Sequence, residues 1–257
     1  MSNQQLLIAL YTIVHREIRR FTRIWAQTLL PPAITMSLYF VIFGNLIGSR
    51  IGEMGGFSYM EFIVPGLIMM SVITNSYSNV VSSFYSAKFQ GNVEELLVSP
   101  MPNWIILVGY IIGGVARGLI VGFIVTILSL FFTDLQVHSL PIIIIVTLLT
   151  SILFATGGFI NAMLANSFDD VSIVPTFILT PLTYLGGVFY SISLLPDFWQ
   201  GVSQLNPILY MVSTFRYGIL GASDINIYTS LSVIVVFMLI LFFIALNMLT
   251  KGKGIRT

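Results

Sequence analysis

Long apolar runs separated by short polar segments dominate the chain. A helix of about 20 mostly apolar residues crosses the roughly 30 Å hydrocarbon layer of a membrane. The runs that are long enough are Ile24–Ser49, Phe62–Ala87, Ile105–Thr133, Leu140–Phe168, Val171–Pro196 and Ile225–Thr250. Their only charged residue is Arg117, and Pro31 and Pro32 predict a kink or a late helix start in the first run. The pattern predicts six transmembrane helices within residues 24–250.

The segment before the first run, residues 1–23, is amphipathic. Apolar residues between Leu6 and Val14 are followed by a cluster of arginines between Arg16 and Arg23. Such a segment is typical of a helix that lies in the headgroup region of a membrane. We therefore predict an N-terminal interfacial helix.

A polar interruption, GNVEELLVSP at Gly91–Pro100, separates the second and third runs. Phe89, Val93, Leu96 and Leu97 share one face at helical spacing, and Asn92 with Glu95 resembles a helix-capping pair. The pattern predicts a helix of about two turns, and a loop with a solvated charge pair is the alternative.

The segment between the fifth and sixth runs is unusually apolar for a loop. Residues 190–226 contain many aromatic and aliphatic side chains and are interrupted by Pro196 and Pro207. Two short re-entrant helices at the outer surface would explain this composition, provided that protein covers their broken backbone. The sequence shows no internal repeat, so we predict one all-α transmembrane domain over residues 1–257.

Composition and charge placement agree with an integral membrane protein. The chain has 257 residues, of which 56% are hydrophobic and only 8% are charged. With the N-terminus in the cytoplasm, the outer loops would hold only Arg50 and Arg216 as basic residues. The cytoplasmic basic residues would be Arg16, Arg19, Arg20, Arg23, Lys88, Lys251, Lys253 and Arg256. This asymmetry predicts that both termini, including the basic tail 251–257, and the Gly91–Pro100 helix face the cytoplasm.

The sequence offers little enzyme chemistry. It has no cysteine, no paired histidines at metal-binding spacing, and no GxxxxGK[ST] loop to hold nucleotide phosphates. Asp169 and Asp170 are better suited to capping a helix than to acid–base catalysis. We predict no catalytic residue, no bound metal or cofactor, and no nucleic-acid partner.

Two features of the apolar runs stand out. Overlapping GxxxG patterns in the third run predict close helix packing, either within the subunit or along a seam between two copies. The glycines are Gly109, Gly113, Gly114, Gly118 and Gly122.

Arg117 should face protein or water because an arginine in hydrocarbon is costly. It is a candidate for the transport path or for a tie between helices, with Glu61 as a suggested partner. Asn75 and Asn79 share a face and are candidates for the same roles.

These stretches together resemble the membrane subunit of ABC-2 type transporters. That family's segment between helices two and three commonly reads G-T-x-E-x-L-L-x-x-P, and Gly91–Pro100 differs from it in having Asn92 in place of Thr. A later family pattern, N-P-x-x-Y followed by an arginine, is matched by NPILYMVSTFR at Asn206–Arg216. VPGL at Val64–Leu67 and the segment Pro181–Gln200 also fit, so the resemblance covers essentially the whole chain.

The resemblance implies that the short cytoplasmic helix is a coupling helix that docks on a separate ATP-binding subunit. The implied docking residues are Lys88, Gly91, Glu94, Glu95, Leu96 and Leu97. It also implies two copies of this chain on two ATPase copies, with ATP and Mg²⁺ on the ATPase. The expected function is export of an amphipathic or hydrophobic substrate, a drug-like molecule or a lipid or glycan, across the bacterial inner membrane. A secondary carrier or channel and a structural scaffold are the alternatives.

Overall fold

A computed structural model describes residues 2–254, with the side chains of Asn45 and Ser49 left aside. The end of the predicted basic tail, which contains Arg256, lies outside the described residues. The α-helices of the described part are α1 (Asn3–Arg23), α2 (Trp25–Thr28), α3 (Leu30–Tyr39), α4 (Gly48–Ile51), α5 (Tyr59–Phe89), α6 (Asn92–Val98), α7 (Asn103–Ser129), α8 (Leu140–Leu164), α9 (Phe168–Val174), α10 (Thr180–Tyr184), α11 (Asp197–Gln204), α12 (Pro207–Leu220) and α13 (Ile227–Lys251). Two π-helical segments, Phe40–Ile47 and Pro175–Leu179, continue α3 and α9, and Ile192–Leu194 forms a 3₁₀ turn.

Five helical stretches of the described chain are long and apolar enough to cross a membrane. They are Trp25–Gly44, Tyr59–Phe89, Asn103–Ser129, Leu140–Leu164 and Ile227–Lys251. The integral membrane class and the all-α class are therefore confirmed for the described residues. The only departure there is a small hairpin, β1 (Glu53–Met54) paired with β2 (Phe57–Ser58).

The predicted span Val171–Pro196 differs most from the structure. The helix there consists of α9, the π-helical segment and α10, which have seven, five and five residues. At 1.5 Å per residue this run covers about 25 Å, which is short for the hydrocarbon layer. It ends at Tyr184 because the chain then turns through Gly187, whose φ is +70°. The predicted end at Pro196 is wrong, and a sixth complete crossing stays a prediction.

The break at the start of the first run has a local cause. Helix α2 ends at Thr28, and α3 begins at Leu30 with Pro31 and Pro32 in its first turn. Proline is tolerated in a first turn because the amide that it lacks has no partner inside the helix. The two prolines therefore set where α3 begins, within the longer helical stretch Trp25–Gly44.

Helix α5 is the centre of the bundle, between α7 and α8. Most of its length is buried, and a capping box between Ser58 and Glu61 fixes its first turn. Its 31 residues correspond to about 46 Å, well beyond the roughly 30 Å of hydrocarbon. We call the end of the bundle that carries α6 the α6 end, and the opposite end, which carries β1 and β2, the hairpin end. If Tyr59 marks the membrane boundary at the hairpin end, Asn79 lies near the other boundary, about 30 Å away.

At the hairpin end, two helices, α11 and α12, lie between Pro196 and Asn226, as the apolar composition predicted. Arg216, assigned to an outer loop from sequence, is only 2% exposed in α12. Its Nε donates to the carbonyl of Phe62 at 3.2 Å, and its Nη2 donates to the carbonyl of Gly187 at 2.6 Å. Its Nη1 lies 3.5 Å from Asp224 Oδ2. Arg216 thus joins α5, the turn after α10 and the segment after α12.

Candidate functional site: the α6 end and the polar contacts of α5

The short helix predicted at Gly91–Pro100 is present as α6. It begins after Gly91, which adopts a left-handed φ of +76° as the helix cap. The predicted capping role of Asn92 is wrong. Asn92 is the first helical residue, the cap position is one residue earlier at Gly91, and no side chain forms a capping hydrogen bond. Glycine suits this cap because residues with a Cβ seldom adopt a left-handed conformation.

The two faces of α6 have different surroundings. Val93 is buried, and Leu96 and Leu97 pack partly buried against the core of this chain. Glu94 and Glu95 are exposed, and Val98 is 86% exposed. The surface that α6 leaves open is therefore acidic with one apolar side chain, and its two leucines already have partners within the chain.

Lys88, another predicted docking residue, makes contacts inside the chain. Its Nζ donates to the carbonyls of Met163 at 2.8 Å and Ala165 at 2.7 Å. These carbonyls are at the C-terminal end of α8, where no backbone N–H of the helix is left to donate to them. Lys88 therefore caps α8 and holds the ends of α5 and α8 together beside α6.

Arg117 joins three helical elements. Its Nη2 donates to the carbonyl of Thr28 at 3.2 Å and to Asn75 Oδ1 at 3.1 Å. Glu61, the partner suggested from sequence, instead accepts hydrogen bonds from Ser58 at the other end of α5. The observed contacts therefore give Arg117 the character of a helix tie.

Asn79 makes the corresponding contact between α5 and α1. Its Oδ1 accepts from Arg20 Nη2 at 2.8 Å, and its backbone carbonyl accepts from the same nitrogen at 2.9 Å. Both Asn75 and Asn79 are buried, at 4% and 0% exposure. They tie α5 to its neighbours rather than facing an open cavity.

Glu17, a residue that the sequence pattern did not indicate, is buried at 1% exposure in α1. Its carboxylate lies 3.3 Å from Arg16 Nη2 and 3.6 Å from Arg20 Nε. Arg16 Nη2 also donates to Tyr110 Oη at 2.7 Å. The sequence signal was an acidic residue between two arginines on a helix, where side chains three residues apart are neighbours.

The glycines of α7 have their close contacts within the subunit. A Cβ on Gly109 would lie 2.5 Å from Ile13 Cγ2 in α1, and one on Gly113 would lie 2.5 Å from Glu17 Cβ. Gly118 and Gly122 face Ser76 and Val72 of α5 in the same way. This face is filled by α1, α5 and α8 of the same chain, so it is not open to a second copy.

A stripe of hydroxyl side chains on α5, which sequence analysis did not single out, is the exposed face of an otherwise buried helix. The α5 hydroxyl stripe consists of Thr74, Ser78 and Ser82, four residues apart; Thr74 and Ser82 are exposed and Ser78 is half-buried. A second series at the same spacing, Ser172, Thr176, Thr180 and Tyr184, is exposed along α9, the π-helical segment and α10, where Ile173, Phe177 and Ile178 are exposed as well. Exposed positions of membrane helices that face lipid are normally apolar. The hydroxyls of Thr74 and Ser82 donate to the carbonyls of Met70 and Asn79 in their own helix, and their oxygens remain as acceptors for water, protein or substrate.

The comparisons with known proteins agree with this architecture. Residues 8–220 match the sequence profile of the ABC-2 type transporter family. Because this match covers most of the chain, the chain belongs to that family, and it is a membrane transport permease.

Among individual relatives, the chain is similar to the inner membrane transport permease YadH of Escherichia coli K12. They are 60% identical over 250 residues, which cover 97% of this chain and 98% of the relative. It is also 23% identical to nodulation protein J of Rhizobium leguminosarum bv. viciae, over 83% of both chains. The YadH similarity and the apolar helices make it a bacterial inner-membrane protein.

Proposed function

We propose that the chain is the membrane-spanning subunit of an ATP-driven exporter. In this proposal, two copies stand on two copies of a separate ABC ATP-binding subunit, which binds and hydrolyses ATP with Mg²⁺. The observation that carries it is α6, which exposes Glu94, Glu95 and Val98 while its opposite face is fixed to the bundle. A short helix held in this way is suited to receive force from a partner.

The bundle offers a route for that force. Helix α6 lies between α5 and α7, and the α7 glycines hold these two helices closely together. Lys88 adds the end of α8 to the same unit. Closure of the ATPase pair would move this unit as a whole, provided that the partner contacts α6 differently in its two states.

The proposed path runs along the α5 hydroxyl stripe and past the half-buried Met70, one turn before Thr74. This mixture suits an amphipathic or hydrophobic substrate, such as a drug-like molecule or a lipid or glycan. The proposed direction is outward, with α6 and both termini in the cytoplasm as the distribution of basic residues predicts.

The decisive experiment compares partner retention by two charge-neutralised variants. The full chain is purified in mild detergent with its associated proteins, unaltered or with Glu94→Gln and Glu95→Gln. The matched control, Glu53→Gln with Asp134→Asn, removes two exposed acidic charges at the hairpin end. We expect an ABC ATPase to accompany the parent and the control, and its retention to fall at least about tenfold with the α6 variant.

Two results would contradict the proposal. If the folded parent carries no ATPase and none stimulates it, a secondary carrier becomes the better assignment. If both variants retain the ATPase equally, the acidic surface of α6 is not the docking site.

A further inference from the structure

An open surface depression of about 880 Å³ lies along the basic side of α1, and all of its lining residues lie between Tyr11 and Ile24. Its lining includes His15 and four arginines, Arg16, Arg19, Arg20 and Arg23. We call these five residues the arginine groove. Two of its members hold α1 to the bundle: Arg16 donates to Tyr110 of α7, and Arg20 donates to Asn79 of α5.

The groove has an excess of positive charge. Glu17 is the one acidic side chain that pairs with its arginines among the described residues, and it is buried beneath Arg16 and Arg20. Within residues 2–254, the guanidinium groups of Arg19 and Arg23 form no hydrogen bond or ion pair, and both residues are exposed. Four arginines against one carboxylate leave three positive charges in excess. The natural ligand of such a groove is an anion.

The same side of the molecule exposes apolar side chains. Leu7 is 67%, Ile8 64% and Tyr11 68% exposed on α1, and Trp25 just beyond it is 59% exposed. Basic residues beside exposed apolar ones match a ligand with an anionic head and an apolar tail. A small soluble anion would leave these apolar side chains unused.

The position of the groove along α5 supports the same conclusion. Arg20 donates to Asn79, which lies about 30 Å along α5 from Tyr59. That length equals the thickness of the hydrocarbon layer, so with Tyr59 at one membrane boundary the arginines lie at the other boundary, on the α6 side. Lipid phosphates occupy the region directly beyond this boundary.

We propose that the arginine groove binds the phosphate headgroup of an anionic phospholipid from the leaflet on the α6 side. Guanidinium groups bind phosphate oxygens through two parallel hydrogen bonds, and Arg19 and Arg23 are unengaged and available for this. Glu17, Tyr110 and Asn79 hold Arg16 and Arg20 in place from below. The site does not depend on the proposed export function, because it requires only the fold and the membrane.

Native mass spectrometry of the full chain in detergent, titrated with phosphatidic acid, tests the proposal. Arg19→Gln with Arg23→Gln removes the two unengaged guanidinium groups and leaves the Glu17 contacts intact. Lys251→Gln with Lys253→Gln is the matched control, because it removes two exposed positive charges from the end of α13. We expect phosphatidic acid to bind the parent and the control alike and to bind the arginine variant about thirtyfold more weakly.

The choice of probe distinguishes a lipid site from a soluble-anion site and from general surface charge. Phosphatidylcholine with the same acyl chains should bind weakly to all three proteins, and inorganic phosphate should not displace phosphatidic acid. Equal binding of phosphatidylcholine would show that charge is not recognised and would overturn the proposal. So would displacement by inorganic phosphate, which would indicate a soluble-anion site. Equal losses in both variants would indicate only general surface charge, and an unchanged arginine variant would remove the groove from consideration.

Discussion

Gly114 shows how closely the helices approach at a single residue. A Cβ at this position would lie 2.6 Å from Val80 Cγ2 of α5 and 2.9 Å from both Ala155 Cβ of α8 and the carbonyl of Ser76. Two of these neighbours are packed side chains and one is backbone, so none can move away freely. Glycine is therefore required for α5, α7 and α8 to meet here.

Gly114→Ala should consequently destabilise the protein by about 1–3 kcal/mol through overpacking. Gly201→Ala is the control: Gly201 lies inside α11, and an added Cβ would have no neighbour within 4 Å. That change should be neutral or stabilise by about 0.5–1 kcal/mol, because alanine is the better helix former. Thermal unfolding in detergent measures both, and equal unfolding temperatures would contradict the packing argument.

Asp170 stabilises the start of α9 in a pH-dependent way. Its Oδ2 accepts from the backbone N–H groups of Asn166 at 2.9 Å and Ser167 at 3.2 Å. The Asn166 bond is the main reason that the pKa of Asp170 is lowered from its ordinary 3.8. A lowered pKa in the folded state stabilises the fold above the unfolded-state pKa, and this contribution is lost as the pH falls through the folded-state value.

Asp170→Ala should therefore lower the unfolding temperature at neutral pH, and its difference from the parent should shrink once the pH falls below 3.8. Asp169→Ala removes an adjacent exposed carboxylate that accepts no hydrogen bond among the described residues, and it should leave the unfolding temperature at neutral pH close to that of the parent. Unfolding temperatures of the three proteins across pH measure this. A difference that persisted unchanged at low pH would show that the charged cap is not responsible.

At the scale of single elements, the two faces of α5 have separate tasks. Asn75 and Asn79 are buried and hold neighbouring helices, whereas the α5 hydroxyl stripe is the face left open. The sequence alone showed that polar groups were present in this helix. It could not show which of them face outward, because both faces of α5 carry polar residues and no apolar period distinguishes them.

Water should reach the α5 hydroxyl stripe within the membrane. Because the chain contains no cysteine, single substitutions Thr74→Cys and Ser78→Cys can be labelled without background. We expect a small water-soluble thiol reagent to modify both in native membranes. Ile240→Cys, at an exposed apolar position of α13, should remain unmodified because lipid surrounds it. Equal protection of all three would place the stripe against lipid or protein instead.

The sequence predicted the elements better than their ends. Helix α6, the proline break before α3 and the helices α11 and α12 were anticipated because their residues act locally. The early end of α10 was not, because the apolar residues after Tyr184 continue without a charge while the chain turns at Gly187. Hydrophobicity marks residues that avoid water, and it does not show whether they continue a helix or fold back.

The buried charged residues were beyond the reach of pattern analysis for a related reason. Arg216 is buried because it contacts Phe62 and Gly187, which are distant in the chain. Glu17 has ion-pair partners on its own helix, but it is buried because α7 packs against it at Gly113. A basic residue in a predicted loop and an acidic residue in an amphipathic helix are normally solvated. Only the three-dimensional arrangement identifies these as structural charges.

For the whole molecule, the orientation in the membrane is the most direct prediction. Single cysteines at four exposed positions report it. Ser2→Cys and Glu94→Cys introduce a thiol at the α6 end, and Glu53→Cys and Asp134→Cys introduce one at the hairpin end. In intact cells stripped of their outer membrane, an impermeant thiol reagent should label only positions 53 and 134. After lysis, all four should react, because these positions are exposed. The reverse pattern would place α6 outside and exclude a cytoplasmic ATPase as its partner.

The acceptors of Arg216 and Lys88 have a consequence for how the protein tolerates sequence change. Arg216 donates to the carbonyls of Phe62 and Gly187, and Lys88 donates to those of Met163 and Ala165. A backbone carbonyl is present whatever the side chain, so these hydrogen bonds constrain the identity of the donor and not that of the acceptor residue. The acceptors are constrained by burial instead, since Met163 and Ala165 lie in the core. Orthologues should therefore retain a long cationic donor at 88 whatever small or apolar residues stand at 163 and 165, without the paired exchanges that salt bridges between side chains produce.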